Sequence, residues 1–348
     1  MSKEKLGFGV IGCGRIAAKH FEAIAALPEA ELTAVCDVVL ERADRSAVTH
    51  GARGYYNYEE LLKRSDVDIV TIATPSGTHA EIAVAAAKAG KHVLVEKPMA
   101  MRSADMTRMI SICRMAGVKL GVIHQNRFNP PVRALRTALE AGRFGKLTHG
   151  QATVRWQRGE EYYAQAPWRG TKAQDGGVLM NQSIHAIDLL QWMLGEVESV
   201  FGYKRTALRP IEEEDVAVAV LRFRGGALGV IEAAATIYPH NIEETLNVFG
   251  ETGSVILGGV AVNRVEVWEF AGDGGAAERE AMLAGREAEP PNIYGFGHTA
   301  LFADMAAAVR DDRPPAVPGE EGRKAADIVL GIYRSAETGQ PVTLPAEE

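Results

Sequence analysis

Val10-Ile-Gly-Cys-Gly-Arg-Ile-Ala17 joins a short apolar run to a helical one. A second apolar run, Leu32-Thr-Ala-Val-Cys-Asp37, ends on an acid 20 positions beyond Ala17. Gly12 allows the tight turn from strand to helix, and Gly14 lets backbone amides come close to a pyrophosphate. Ala17 fits the slot of the third glycine and keeps the helix against the sheet. Arg15 and Ile16 lie at the helix N-terminus, whose free N–H groups and positive dipole end suit phosphates. Asp37 accepts hydrogen bonds from ribose hydroxyls and repels a 2′-phosphate, so the spacing predicts a dinucleotide site that favours NAD over NADP. Glycine-rich turns without ligands are common, and the sequence of strand, helix, strand and acid is what carries this reading.

Around that fingerprint the first 125 residues alternate β and helical runs. Phe8–Ile11, Glu31–Cys36, Asp68–Ala73, His92–Val95 and Lys119–Ile123 read as strands, and Arg15–Ala26, Leu40–Thr49, His79–Lys88 and Ser103–Ala116 as helices. Such alternation specifies a parallel sheet with helices on both faces and ligands beyond the strands' carboxyl ends. After Asn129-Pro130-Pro131 the rhythm changes. A helix near Val132–Ala141 precedes a β run, Leu147–Arg158, and a long apolar helix, Val178–Leu194. From Val197 to Phe270 strands recur, with turns at Gly225-Gly226, Gly250–Gly253 and Gly258-Gly259 that indicate a largely antiparallel sheet. Ala271–Pro291 reads as a mobile excursion, and helices near Phe296–Arg310 and Gly322–Thr338 complete the chain. The expectation is an α/β protein with two domains. Residues 1–125 form a Rossmann dinucleotide-binding domain, and residues 126–348 an α+β substrate-binding and oligomerisation domain with a large, mostly antiparallel open sheet. The cleft between them is the default ligand site.

The 348 residues are long for one core. A net charge of −7 argues against a nucleic-acid partner, and any anionic ligand needs a local basic pocket. Cys13, Cys36 and Cys113 are odd in number and lack metal spacing, so neither a disulfide framework nor a metal site is expected. Cys13 reads as a small packing residue. No signal-like segment precedes the first strand and no stretch is long and apolar enough to span a membrane, so a cytoplasmic protein is expected.

Two strand ends are chemically loaded: Ala73-Thr-Pro-Ser-Gly-Thr-His79, and Val95-Glu-Lys-Pro98. Lys97 follows a buried strand and precedes a proline that stops it, so its ammonium projects at the sheet's carboxyl edge. A partly desolvated lysine near a cationic ring has a depressed pKa and is suited to taking a hydroxyl proton. On its own, Glu96-Lys97-Pro98 reads equally well as a surface turn. In the helix Val178–Leu194, Asn181, His185 and Asp188 share one face, while Met180, Ile184 and Ile187 face the core. A histidine there is by default structural, but Asp175-Gly176-Gly177 just before it lets a ligand approach the backbone. The loop holding Arg155, Trp156, Arg158, Tyr162, Tyr163, Trp168 and Arg169 suits a ligand with rings and phosphate or carboxylate, or else is a strand and hairpin with solvated arginines.

Taken together, Gly-Cys-Gly-Arg-Ile-Ala, Thr-Pro-Ser-Gly-Thr-His, Glu-Lys-Pro, Pro-Trp-Arg and the Gly-Gly before the Asn181/His185 helix resemble the glucose–fructose oxidoreductase / inositol dehydrogenase / rhizopine-catabolism family of dehydrogenases. The resemblance covers essentially the whole chain. It narrows toward bacterial UDP-N-acetylglucosaminuronate 3-dehydrogenases on Gln125-Asn-Arg127, Tyr162-Tyr163, Trp168-Arg-Gly-Thr171, Asp175 to Gln182, Gly258 to Asn263 and Tyr294-Gly-Phe-Gly-His298. Many family members carry Asp where this chain has Asn181. Asn cannot ionise, so here it binds or orients substrate, and whether Lys97 or His185 takes the proton stays open.

The resemblance implies oxidation of the 3-hydroxyl of a nucleotide-linked N-acetylated uronic acid with NAD as acceptor. The ketone then feeds a transaminase that makes a diaminouronic acid for surface polysaccharide. Beside the Rossmann residues and Asp37, it places Thr74, Pro75, His79, Glu96, Lys97, Asn126, Trp168 and Arg169 at the cofactor. It places Lys97, Arg155, Arg158, Tyr163, Asn181, Gln182, His185, Tyr294 and His298 at the substrate. It also implies 2-oxoglutarate as a recycling oxidant in some relatives, and a homotetramer or dimer built by packing open sheets. The alternatives are a dehydrogenase of another sugar or of a cyclic polyol such as inositol, an NAD-dependent glycosidase, and a cofactor-binding regulator without catalysis.

Overall fold

The computed structural model describes residues 4–259, 261–272, 275–284, 295 and 297–345, with side chains in the 275–284 helix from 279 onward. Its first compact unit is Met1–His124 with His298–Arg323, and its second is Gln125–Gly297 with Lys324–Glu348.

In the first unit β1 (Leu6–Ile11), β2 (Ala30–Cys36), β3 (Arg53–Tyr55), β4 (Ile69–Ile72), β5 (His92–Val95) and β6 (Leu120–Val122) form one parallel sheet in the order 3-2-1-4-5-6. The helices are α1 (Ala17–Ala25), α2 (Leu40–His50), α3 (Tyr58–Leu62), α4 (His79–Lys88) and α5 (Ser103–Met115). Phe8, Val10, Ile69, Ile72 and Leu94 are buried, as parallel strands covered on both faces require. Truncating Ile72 to Ala would cost about 2–5 kcal/mol through lost transfer energy and a cavity. The order reverses between β1 and β4, so the Gly12 and Thr74 loops open together at the switch point where nucleotides bind in such sheets. The short pair β3 and α3 lies in a stretch that shows no periodicity in the sequence.

The second unit contains α6 (Pro130–Glu140), β7 (Leu147–Arg155), α7 (Glu160–Tyr163), α8 (Ile184–Leu194), α9 (Gly275–Ala284) and seven further strands. These are β8 (Val197–Arg205), β9 (Val216–Phe223), β10 (Leu228–Ala234), β11 (Glu243–Gly250), β12 (Gly253–Gly258), β13 (Arg264–Phe270) and β14 (Val342–Thr343). The sheet order is 13-12-11-7-10-9-8-14, antiparallel except for the pair β7 and β10. One face is covered by α8, which lies on β7 and β11 above the buried Ala152, Val154, Leu246 and Val248. The other face is open. On it Val218 is 48%, Val220 54%, Leu228 57%, Val230 42% and Tyr203 64% exposed. Register sets Val230 opposite Val220, and Tyr203 opposite Val218.

Three expectations change. The helix expected over Val178–Leu194 is divided into a π-helical turn, Val178–Gln182, and α8, with Ser183 between them. Its first N–H groups are drawn to Glu214, a residue distant in sequence. The stretch expected to be a mobile excursion contains α9, while 285–291 lie outside the described residues. Finally, residues 298–323 return to the first unit instead of staying in one continuous second domain. That return carries most of α10 (Gly297–Arg310), whose Phe302 stacks on Phe8 at 6.0 Å, and the start of α11 (Gly319–Thr338), where Arg323 donates to Ser103 Oγ at 2.7 Å. Among the described residues no helix is long and apolar enough to cross a membrane.

Candidate active site

Gly12 has φ +96°, and a Cβ there would stand 2.5 Å from the Ala73 carbonyl oxygen, so the turn after β1 needs glycine. At Gly14 an added Cβ would meet no protein atom within 4 Å, which leaves this side of the loop open to a ligand's approach. Asp37, 8% exposed, accepts from the Cys13 N–H through Oδ2 and the Val39 N–H through Oδ1, both at 2.8 Å. Each oxygen keeps a lone pair for a ribose hydroxyl. Asp37 therefore fastens the glycine loop as well as offering a ribose acceptor. Arg15 is exposed, Ile16 precedes α1 without a capping hydrogen bond and Ala17 is fully buried. Burial pushes the Cys13 thiol up to about 11 and Cys36 to about 12, which makes them packing groups rather than nucleophiles.

The two loaded strand ends are tied to one another by His79. Its Nδ1 lies 2.9 Å from the Pro98 carbonyl oxygen and its Nε2 3.0 Å from that of Thr74. Burial holds its pKa below the usual histidine value, and a neutral ring donates to one of these carbonyls at a time. Thr78 Oγ1 closes the Thr74-Pro75 turn, 2.8 Å from both Thr74 Oγ1 and the Pro75 carbonyl oxygen. His79 thus shapes the turn that a cofactor would meet, from within.

Glu96 also turns inward. It is 6% exposed, with Oε1 3.0 Å from His20 Nε2 and Oε2 accepting the Lys97 N–H at 3.1 Å. The other nitrogen of His20 is 2.9 Å from Thr71 Oγ1. Burial alone would raise the Glu96 pKa, but the His20 hydrogen bond and nearby cationic groups outweigh it and hold the carboxyl below its ordinary value. Lys97 is partly exposed, with anchored residues on either side. His298, expected at the substrate, lies in the first unit with its ring 6.4 Å from that of His20, and burial pushes its pKa down to about 4. Its place is in the buried cluster behind Lys97. Tyr294 lies outside the described residues.

In the second unit, Gln125, Asn126 and Arg127 form a buried turn. The Gln125 side-chain amide stands 3.4 Å from His185 Nε2. Arg127 grips Asp188 through two 2.7 Å bonds, so Asp188 belongs to a buried ion pair and not to the polar face of Asn181 and His185. Both of those residues are partly exposed. Asn181 Nδ2 donates to Oδ1 of the buried Asp175, whose Oδ2 accepts the Gly170 N–H at 2.6 Å. Asp175 therefore holds Asn181 and the Trp168–Gly170 loop together. Gln182 Nε2 donates to the Tyr162 hydroxyl oxygen at 3.2 Å. The Tyr162 ring has the Arg158 guanidinium 5.1 Å from its centre and that of Arg169 at 4.2 Å. Arg158 also lies over Trp156, Arg169 over Trp168, and Tyr163 edge-on to Tyr162 at 5.1 Å.

Arg155 differs from the expectation. Val154 points to the core, so strand alternation turns Arg155 to the open face of the sheet, away from α8. There its guanidinium bonds Glu232 and Glu243 on the flanking strands. It is a cross-strand ion pair.

His20, Thr71, Glu214 and Tyr333 escape sequence reasoning. His20 lies on the apolar face of α1 beside Phe21 and Ile24, and Glu212-Glu-Glu-Asp215 reads as a solvated turn. Residues 213–215 are in fact buried.

Residues 6–124 match the oxidoreductase family described as NAD-binding Rossmann fold, and residues 132–256 match the GFO/IDH/MocA C-terminal domain. Myo-inositol 2-dehydrogenase of Thermotoga maritima is 31% identical over 346 residues, covering 97% of this chain and 98% of that protein. The chain belongs to the GFO/IDH/MocA oxidoreductase family. Among solved structures, the WlbA dehydrogenase of Bordetella pertussis, in complex with NADH and UDP-GlcNAcA, is 39% identical with a TM-score of 0.92, covering all of both chains. The WlbA dehydrogenase of Chromobacterium violaceum, with the same ligands, is 38% identical, also at 0.92, covering 100% of this chain and 98% of that one. This GFO/IDH/MocA protein is an NAD-dependent sugar oxidoreductase. Its open Gly14 loop and anchored Asp37 fit that cofactor.

Proposed function

We propose that the chain oxidises the 3-hydroxyl of a nucleotide-linked N-acetylated uronic acid, UDP-N-acetylglucosaminuronate, to the 3-keto sugar. The observation carrying this reading is the likeness to WlbA dehydrogenases bound to UDP-GlcNAcA, at 39% identity over the whole of both chains. Bound NAD supplies the hydride acceptor. The glycine loop and Asp37 hold its phosphates and ribose, while Thr74, Pro75 and Asn126 line its nicotinamide half. Trp168 and Arg169 cover it. His79 and Glu96 act indirectly, by shaping the Thr74 turn and anchoring Lys97. Lys97 and His185 are the two proton acceptors proposed for the sugar hydroxyl. Asn181 and Gln182 orient the ring through their amides, and Arg158 and Tyr163 meet the charged end of the substrate. The product feeds transamination toward surface polysaccharide in the cytoplasm.

A homotetramer or dimer is part of this proposal, supported by the open apolar face of Tyr203, Val218, Val220 and Val230. The proposal also includes 2-oxoglutarate as an oxidant that recycles NADH in place. A substrate panel tests the function: NADH formation from UDP-N-acetylglucosaminuronate supports it. No turnover there, with brisk turnover of free polyols, would instead favour an inositol-type activity, which the Thermotoga relative supports. Addition of 2-oxoglutarate should raise turnover if the cofactor is recycled in place.

A further inference from the structure

Glu214 takes no part in the chemistry above, yet it is 1% exposed and meets the start of the Asn181–His185 segment repeatedly. Its main-chain oxygen accepts the Val178 N–H at 2.8 Å. Its Oε1 accepts the Leu179 N–H at 2.8 Å and the Tyr333 hydroxyl at 3.1 Å. The Tyr333 oxygen in turn accepts the Gly177 N–H at 3.4 Å. The first N–H groups of a helix are normally satisfied by the side chain just before it, but Gly177 at that position has none to offer. Its backbone, at φ −99°, suits any residue; a Cβ, however, would stand 2.2 Å from Glu214 Oε2. Glycine is present here to admit the carboxyl.

The turn held this way is the π-turn Val178–Gln182. Such wide turns change the rotation between residues on either side and gather at functional sites. We propose that Glu214, backed by Tyr333, is a positioning residue: it caps the π-turn from outside the helix and so sets how Asn181, Gln182 and His185 face the substrate. This rests on the reading that those three residues touch the sugar.

The test uses the full chain with NAD and the variants Glu214→Gln, Glu214→Ala, Tyr333→Phe, Gly177→Ala and the double variant Gly177→Ala/Glu214→Ala. Thermal unfolding, NAD affinity, kcat and KM for UDP-N-acetylglucosaminuronate are measured. Glu214→Ala should lower kcat roughly tenfold to a hundredfold, as small misplacements of reacting groups do, while NAD affinity stays unchanged. Glu214→Gln, which keeps Oε1, should recover most of kcat, and Tyr333→Phe should fall between the two. Gly177→Ala should destabilise by collision with the carboxyl, and the double variant should regain Tm without regaining kcat. Wild-type kcat in Glu214→Ala, or recovery of kcat together with Tm in the double variant, overturns the proposal. If the wild type does not turn over this sugar, the substrate reading fails separately. Positioning is then read from the His185 Cε1–H resonance, assigned with His185→Asn: it should move in Glu214→Ala and return in Glu214→Gln. An unmoved resonance overturns the proposal.

Discussion

His20 and Glu96, 76 positions apart, share a buried hydrogen bond of 3.0 Å, and the second oxygen of Glu96 accepts the N–H of Lys97. A helix facing the sheet thus anchors the backbone of the residue proposed to take the proton. Replacing His20 by Ala leaves a buried carboxylate oxygen without its partner, and should lower stability by about 2–3 kcal/mol. Folded Glu96 has a depressed pKa, so its contribution is present above its ordinary value and is lost as pH falls through the folded one. The stability gap between the wild type and Glu96→Gln should therefore close on acidification. A constant gap in denaturant titrations down to about pH 3 would count against this pairing.

Lys97→Ala should reduce kcat by about 10²–10⁴, the usual contribution of a positioned acid–base group, with NAD affinity nearly intact. Calorimetry with NAD and steady-state kinetics separate the two effects. A variant that loses cofactor affinity but keeps kcat would reassign Lys97 to binding.

Asp37→Ala removes the acceptor of both the Cys13 and Val39 N–H groups, so it loosens the glycine loop as well as the ribose contact. NAD affinity should fall by roughly tenfold to a hundredfold, about 1.4 kcal/mol per tenfold, and discrimination against NADP should relax. Equal losses for both cofactors would mean that only the loop effect operates.

Burial pushes the Glu214 carboxyl up to about 7 from its ordinary 4.5. With the folded value above the unfolded one, its stabilising contribution is full below pH 4.5 and is lost as pH rises through about 7. Glu214→Gln cannot ionise and should flatten the decline in Tm between about pH 4.5 and about 7. An unchanged slope would show that another group titrates there.

Val220→Glu places a charge in the middle of the open sheet face, where Val220 is 54% exposed. A sheet-packed assembly should dissociate, halving the mass seen by sedimentation, while the Tm of the separated protomer changes little. An unaltered mass would place any assembly contact elsewhere.

The Rossmann half was legible because its signals are local. Gly12, Gly14 and Asp37 act within one strand–helix–strand passage, and buried parallel strands are written as apolar runs. Lys97 and His79 were likewise marked by their strand ends. The second unit was less so: a two-residue periodicity predicts strands but not that β7 pairs in parallel with β10, and helical spacing grouped Asp188 with His185. The buried Arg127–Asp188 pair, 61 positions apart, undoes that grouping.

Periodicity and turn chemistry in this chain specify a dinucleotide-binding sheet, the glycine loop after its first strand and the strand end bearing Lys97, because neighbours along the chain produce them. Long-range packing alone assigned Arg155 to an outer ion pair, drew Glu96 to His20 and set Glu214 against Gly177. Those outcomes turn on which distant groups share a desolvated space, and a buried polar atom takes whichever partner the tertiary structure brings to it.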